Sequence, residues 1–510
     1  MKRRDFIKTA TALSIAGTKM PLMAFTRPKH LRKSSGNWGS DRIVLLIKLN
    51  GGNDGLNTLI PIQDSIYYNK RPNLGIKASD ALPIQYDTAF HPSLVNSQHL
   101  FQQGMMSIIH GVGYDHSNLS HFRSSDIWVT GSGADRVWNT GWLGRMLTHD
   151  YPDYPANIPD HPIGIQMGSA NLLEFQTEET NMATMMGNSD SLYKIIDENY
   201  VTGSTDPAPQ TYGGEELNYL RGIDESTYEF SGVINDAGDK GKNTFEYPET
   251  NIGLQMAVAA KLISGGLTTP IYRLNYGGFD THANQWNDHI ALLQELDQAV
   301  FAFLKDMGGQ GLLDKVLVVT TSEFGRRVKE NGSMGTDHGT AGPTFLYGSS
   351  LRGDIIGNQP DLSDLSRAGN ISIQHDYRQI YSTIMQDWFG LAVDTVTQIL
   401  EESYDAIPVI NFPLTTDHPT TIPSEFKLHP AFPNPFNPTA EIRFEIPKGS
   451  QVKITVYNIT GRIVMQKDLG FKPSGFHRYI LGPKGWASGT YIIQVEALQS
   501  ILNQRITYLK

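Results

Sequence analysis

Four stretches of the chain bring together residue types that could act jointly on an anion. The longest runs from Val316 to Gly339. Its apolar, β-branched start, VLVVTT, ends in Ser322 and Glu323; Arg326 and Arg327 follow, then Gly332 and Gly335, then Asp337 and His338. Oxygen donors beside an imidazole are the ligands that divalent metal ions take, with Zn, Mn, Ca or Mg all open at this point. The stretch is therefore expected to form one wall of a metal and anion site; a strand followed by a polar surface loop is the plainer alternative. In Asn50–Thr58 (NGGNDGLNT) the glycines permit a tight turn, and Asp54 is a candidate metal carboxylate unless it only closes an Asx-type turn. In Tyr276–Gln285 (YGGFDTHANQ) Asp280 and His282 stand two residues apart, a suitable pair for a borderline ion, although a His bonded to a loop carbonyl would read the same way. Gly113–Trp128 holds a Ser-rich turn that opens a helix. Ser120 there is a candidate nucleophile and Arg123 a candidate oxyanion clamp, with a simple N-cap serine as the alternative.

These residues need elements to hold them. Ile43–Leu49 (IVLLIKL), Met106–His110, Pro270–Asn275 and the run from Val316 read as short buried strands of a parallel sheet. Polar residues follow at their carboxyl ends, where open α/β sheets keep their sites. Pro343–Tyr347 reads as a further strand. Ser93–Gln103, Trp286–Met307 and Asp376–Phe389 have helical spacing, with Leu293, Leu296, Val300, Phe303 and Leu304 on one face of the second. Tyr151–Gly253 is rich in Pro, Asn, Asp and Gly and weakly periodic, so it is expected to be insertions that cap or line the site, with helical pieces at Leu172–Phe175 and Leu217–Phe230. Pro413–Pro423 reads as a linker. Beyond it, Ala440–Ile446, Val452–Tyr457, His477–Leu481 and Tyr491–Ala497 alternate between turns, the pattern of an antiparallel β-sandwich. The expected fold class is α/β, a mainly parallel central sheet flanked by helices, plus this small C-terminal antiparallel sandwich.

Composition narrows the chemistry. The 510 residues are 39% hydrophobic and 18% charged, a globular balance in a chain longer than one ordinary domain. A net charge of −10 without a long basic run excludes an electrostatic footprint for nucleic acid. With no cysteine, disulfides, thiolate metal sites and Cys nucleophiles are excluded. At the start, Lys2-Arg3-Arg4-Asp5-Phe6-Ile7-Lys8 precedes the mildly apolar Thr9–Gly17 and resembles a twin-arginine export signal; the apolar run is too short to span a bilayer, and no transmembrane helix is expected.

Two further resemblances follow from motifs. Phe432-Pro433-Asn434-Pro435-Phe436-Asn437-Pro438, Val456-Tyr457-Asn458-Ile459-Thr460-Gly461 and Ser488-Gly489-Thr490-Tyr491 resemble the sorting domain of the bacterial type IX secretion system. This implies the secretion machinery as partner and delivery through the periplasm to the cell surface or medium. Leu49–Thr58, Ser120–Trp128, Tyr276–Gln285 and Thr320–Gly339 resemble an exported bacterial family of unknown function within the alkaline phosphatase and sulfatase superfamily. That resemblance implies an alkaline phosphatase-like fold holding divalent metal. Asp54 would match the first-strand carboxylate, Ser120 the nucleophile, Asp280 and His282 the middle ligand pair, Glu323 the late carboxylate, and Asp337 and His338 the final ligand. Glu323-Phe324 stands where phosphatases carry Asp-His, and Ser120-His121-Phe122-Arg123 lacks the proline of sulfatases, so formylglycine is not expected.

The implied domains are a signal at 1–25, a linker at 26–41, the body at 42–412, a linker at 413–427 and the sorting domain at 428–510. The implied function is metal-dependent hydrolysis of a phosphate or sulfate ester of a small molecule or glycan. Metal would activate Ser120, and Arg123 or Arg326 would clamp the non-bridging oxygens. The alternative is a non-catalytic surface binding protein that keeps the fold.

Overall fold

A computed structural model of the chain describes residues 41–186 (except 86, 156 and 169–171), 214, 230–411 (except 367) and 425–509 (except 430, 432–433, 438–439, 473–474, 484 and 499). The expected signal, most of both linkers, and the helical piece at 217–229 lie outside the described residues. The chain divides into two compact units, Met1–Leu414 and Thr415–Lys510.

The first unit is built on a nine-stranded sheet. Its strands in chain order are Ile43–Leu49 (β1), Met106–Gly113 (β2), Gly164–Met167 (β3), Thr184–Met186 (β4), Ile271–Tyr276 (β5), Val316–Ser322 (β6), Gly342–Tyr347 (β7), Ile355–Ile356 (β8) and His375–Asp376 (β9). They lie in the order β8-β2-β7-β6-β1-β5-β3-β4, with β9 also paired to β2. Every pairing is parallel except those of β7, which runs against both neighbours. The mainly parallel α/β fold expected from the strand pattern is therefore the fold observed.

β1 shows why. All seven of its residues are buried. Ile43, Leu45, Ile47 and Leu49 enter one core layer, while Val44 and Leu46 enter the other. With side chains alternating between faces, a strand covered on both sides must be apolar nearly throughout; the one charged residue of β1, Lys48, lies against Glu323. The first layer is covered by helices Val95–Gln102 (α1), Asn251–Ser264 (α4) and Gln285–Gly309 (α5); the second by His121–Thr130 (α2), Trp142–Asp150 (α3) and Tyr377–Thr383 (α6).

Three expectations change. Tyr151–Gly253 is more than insertion, for it supplies β3, β4 and the start of α4. Strands of four and three residues are too short to show a period. The helix expected over Asp376–Phe389 is α-helical only to Thr383 and continues as a π-helical turn, Ile384–Trp388. The Gly-rich stretch after Glu323 forms a hairpin instead of a loop, Gly325–Glu330 pairing antiparallel with Thr336–Gly339. In it Val328 and Glu330 are buried while Lys329 is exposed, the period of a half-covered strand. The Asn331 carboxamide closes the turn by accepting from Ser333 N (2.9 Å) and Gly335 N (3.1 Å).

The strands of the second unit pair antiparallel, with one isolated parallel bridge between Phe436 and Tyr508. One sheet holds Lys427–Leu428, Ala440–Ile446 and Gly475–Leu481; the other holds Ile463–Lys472, Ser450–Asn458, Gly489–Ala497 and Ser500–Tyr508. Ile442 and Phe444 from the first share a core with Val452, Ile454, Ile493 and Val495 from the second. Among the described residues, no helix is long and apolar enough to cross a membrane.

Candidate metal centre

The centre lies at the carboxyl edge of the sheet, where β1 and β5 end side by side. Their loops cross: Asn50 N donates to Tyr276 O (2.8 Å) and Phe279 N to Asn50 O (3.1 Å). Gly51 (φ +116°) makes the crossing feasible, since a Cβ there would fall 2.3 Å from Asp280 N. Arg326, from the hairpin, pins both loops with a fully buried guanidinium. It donates to the carbonyls of Gly51, Gly52 (2.8 Å), Phe279 (2.8 Å) and Thr336 (2.7 Å), and to Asp280 Oδ1 (2.8 Å). Its expected role as an anion clamp is corrected accordingly, because its donors are spent on the backbone.

Around Asp280, 46% exposed, three imidazoles converge. His121 Nε2 lies 3.2 Å from Asp280 Oδ2; His282 Nε2 and His338 Nε2 each lie 3.1 Å from Oδ1 and 2.9 Å from one another. The opposite ring nitrogens are turned to acceptors. His121 Nδ1 donates to Glu323 Oε1 (2.6 Å), His338 Nδ1 donates to Leu119 O (2.7 Å), and His282 Nδ1 stands 3.5 Å from Asp337 Oδ1. Carboxylates and carbonyls behind ring nitrogens fix the tautomer and direct the bare Nε2 forward, as around ligating histidines. Two such lone pairs then face a carboxylate, an arrangement that a cation between them would balance. Among the described residues, the ligand atoms of His121, Asp280 and His338 lie within 4.8 Å of one another, a geometry open to a metal ion. The Phe324 ring packs against His121 and His338, 5.1 and 4.4 Å between centroids.

The charges fit that arrangement. Partial burial raises the Asp280 pKa, but the hydrogen bond from Arg326, the close approach of His338 and the charge of Arg326 outweigh it and bring the carboxyl down to about 2. Burial lowers His338 below the ordinary imidazole value despite Asp280 and Leu119 O. Asp337 is held below the carboxylate range, first by the Asn331 hydrogen bond and then by Arg327 and His282.

Glu323, expected as a ligand, stands behind the cluster instead. It is 3% exposed; Oε1 accepts from Gly51 N (3.1 Å) and His121, and Oε2 accepts from Ser125 Oγ (3.1 Å) beside Lys48 Nζ (3.6 Å). Lys48 also donates to Ser125 Oγ (2.8 Å). Burial lowers the Lys48 pKa, against the pull of Glu323.

Asp54 is not brought to the cluster. Arg71 Nη1 and Nη2 grip its oxygens at 2.6 and 2.9 Å, and Gln285 donates to Oδ2 at 2.5 Å. Arg123 is likewise committed, donating to the carbonyls of Gly133 (3.4 Å), Ala134 (3.2 Å) and Arg136 in the loop beyond its helix. Ser120 is the exposed N-cap residue of α2, and its side chain makes no capping bond. Thus Asp280, His282, Asp337 and His338 lie together, while Asp54, Arg123 and Arg326 hold loops. His121, Lys48 and Ser125 were missed. Only the place of His121, next to Ser120 at a helix start on the sheet's carboxyl edge, could have signalled its role.

Residues 41–400 match a family described as a protein of unknown function (DUF1501), and residues 430–508 match a secretion system C-terminal sorting domain. The latter is a type IX sorting domain and indicates secretion to the cell surface or extracellular space. No curated protein matches the sequence. Among solved structures, the chain is similar to the PsFucS1 sulfatase from Pseudoalteromonas sp., at 12% identity and TM-score 0.34 over 87% of this chain and 84% of that one. It is similar to a protein in the alkaline phosphatase superfamily from Vibrio parahaemolyticus, at 10% identity and TM-score 0.30 over 86% and 83%. A third similarity, to the alkylpurine DNA glycosylase AlkC of Pseudomonas fluorescens bound to DNA containing an abasic site analog, has 13% identity and TM-score 0.12 and spans 17% of this chain and 31% of that one.

Proposed function

Because the chain belongs to the DUF1501 family, whose function is unknown, we propose from its own centre that it is an exported, metal-dependent hydrolase of phosphate or sulfate esters. The observation that supports this is the convergence of three Nε2 atoms on Asp280, each ring backed by an acceptor at Nδ1. His121, Asp280 and His338 would hold the ion, with His282 beside them. Imidazoles that outnumber the carboxylate suit zinc better than calcium, magnesium or manganese, which favour oxygen ligands. When bound, such an ion would polarise the ester and lower the pKa of the attacking oxygen.

The chain's own residues do the rest. Glu323 and Asp337 orient His121 and His282. Ser120, exposed beside His121, is the nucleophile in this reading: its Oγ loses its proton to solvent and displaces the ester's alcohol in line, and water then releases phosphate or sulfate and restores the hydroxyl. Arg327, part-exposed and 3.8 Å from Asp337, is the cation left to meet the ester's oxygens, since Arg123 and Arg326 are spent on carbonyls. Export runs by the twin-arginine route across the inner membrane, with the sorting domain acting second.

That loss of two clamps favours one other reading, a surface binding protein that keeps the ion without turnover. The deciding experiment measures metal by elemental mass spectrometry in wild type, Asp280→Asn and His338→Ala, then screens phosphate and sulfate esters with wild type and Ser120→Ala. Near-stoichiometric metal lost in both ligand variants, with turnover lost but metal retained in Ser120→Ala, is the expected result. Metal without turnover leaves the binding reading; a folded protein that takes up no ion on reconstitution overturns both.

A further inference from the structure

A groove of about 440 Å3 on the first unit is lined by no member of the imidazole cluster and falls within the range of about 300–1,000 Å3 usual for small-ligand sites. One wall is a stripe along α5: Trp286, Ile290, Gln294 and Gln298, at helical spacing over three turns. Asp80 and the start of α1 at Val95 and Asn96 form the other.

The walls are fixed. Asp297 of α5 accepts from Asn96 N (2.9 Å), Ser97 N (2.7 Å) and Ser97 Oγ (2.6 Å), so a carboxylate on one wall caps the helix forming the other. Asp80 Oδ1 accepts from Ser79 Oγ (2.9 Å) and keeps its second oxygen for a ligand, while Trp286, Gln294 and Gln298 face the groove. Trp286 leaves 44% of its surface exposed, an unusual state for the largest apolar side chain. The amides of Gln294 and Gln298 are held by no other described residue. No Lys or Arg lines the groove, so it offers no guanidinium or ammonium to a phosphate, a sulfate or a nucleic acid backbone.

An open indole face, two planar amides and one exposed carboxylate, with no cation, match a ligand that carries flat C–H surface and many hydroxyls and no charge. A largely apolar peptide would leave these amides and Asp80 buried without partners, which costs binding. We infer that this groove is a carbohydrate-binding site for a neutral oligosaccharide, with the sugar stacked on Trp286 and its hydroxyls bonded to Gln294, Gln298 and Asp80. The assignment stands apart from the hydrolase reading, because none of its residues belongs to the imidazole cluster.

Isothermal titration of the full chain with xylohexaose, mannohexaose, cellohexaose and laminarihexaose tests it, alongside Trp286→Ala, Gln294→Ala and His338→Ala. At least one hexaose is expected to bind wild type and His338→Ala alike. Trp286→Ala should weaken that binding by about ten-fold or more and Gln294→Ala by a smaller factor, with unchanged circular dichroism. Failure of all four sugars to bind, or binding untouched by Trp286→Ala, overturns the assignment. If His338→Ala loses its metal yet keeps the sugar, the two sites are independent; if it loses both, the groove is not the separate site inferred here.

Discussion

Asn50–Asp54 (NGGND) and Tyr276–Asp280 (YGGFD) leave adjacent parallel strands with paired glycines and an aspartate two residues beyond the second, yet the two aspartates have opposite fates. The Asp54 side chain is wholly buried, while that of Asp280 is 46% exposed. Asp54 is neutralised by Arg71, whose remaining donors reach Asn57 Oδ1 (2.6 Å), Val328 O (2.8 Å) and Arg327 O (3.0 Å). Asp280 meets imidazoles. A carboxylate at a strand end is thus a cornerstone or a ligand according to what distant segments bring to it: a saturated guanidinium makes it structural, and half-open imidazoles leave it available for chemistry.

The largest test of this contrast is stability. Arg71→Ala would strand a buried carboxylate and should cost about 3–5 kcal/mol in urea unfolding, whereas Asp280→Asn should change stability by under about 1 kcal/mol, because Asp280 is itself 46% exposed and Arg326 keeps its four carbonyl acceptors. Equal losses would erase the distinction. Next comes ion affinity, which should fall about 10–100-fold in Glu323→Gln, since the acceptor behind His121 is weakened, and should not change in folded Asp54→Asn. Competition with a chelator reads both. A smaller effect comes from acid. Burial lowers the His289 pKa to about 4, and its Nε2 lies 3.0 Å from Asn53 Oδ1 beside the Asp54 network. The unfolded chain takes up this proton near 6.5 and the folded chain only near 4, so this stabilisation is full above pH 6.5 and is lost as pH falls toward 4. Thermal melts at pH 7.5 and 5 should differ more in wild type than in His289→Gln.

Much of the architecture could be read from residue order. IVLLIKL and VLVVTT announce strands covered on both faces, and the polar residues after β5 and β6 lie where such strands end. His282 and His338 stand out as candidates for that reason. Asp54 was misjudged because its neutralising partner, Arg71, comes from a segment with no pattern of its own, and NGGND reads the same whether Arg71 docks or not. Arg326 looked like an anion clamp since a sequence shows its charge and hides the carbonyls that absorb it. His121 escaped because its role depends on Glu323, two strands away in the sheet and far along the chain.

The hairpin that carries His338 onto Asp280 has a kinetic consequence. His121, Asp280 and His338 come from three widely separated segments, and an unfolded chain would have to close very long loops to gather them. Ion uptake at this centre would therefore report completed folding, and by mass action an ion held only by the native form would slow the loss of that form after secretion. The metal-to-protein ratio of a preparation would then count its correctly assembled molecules.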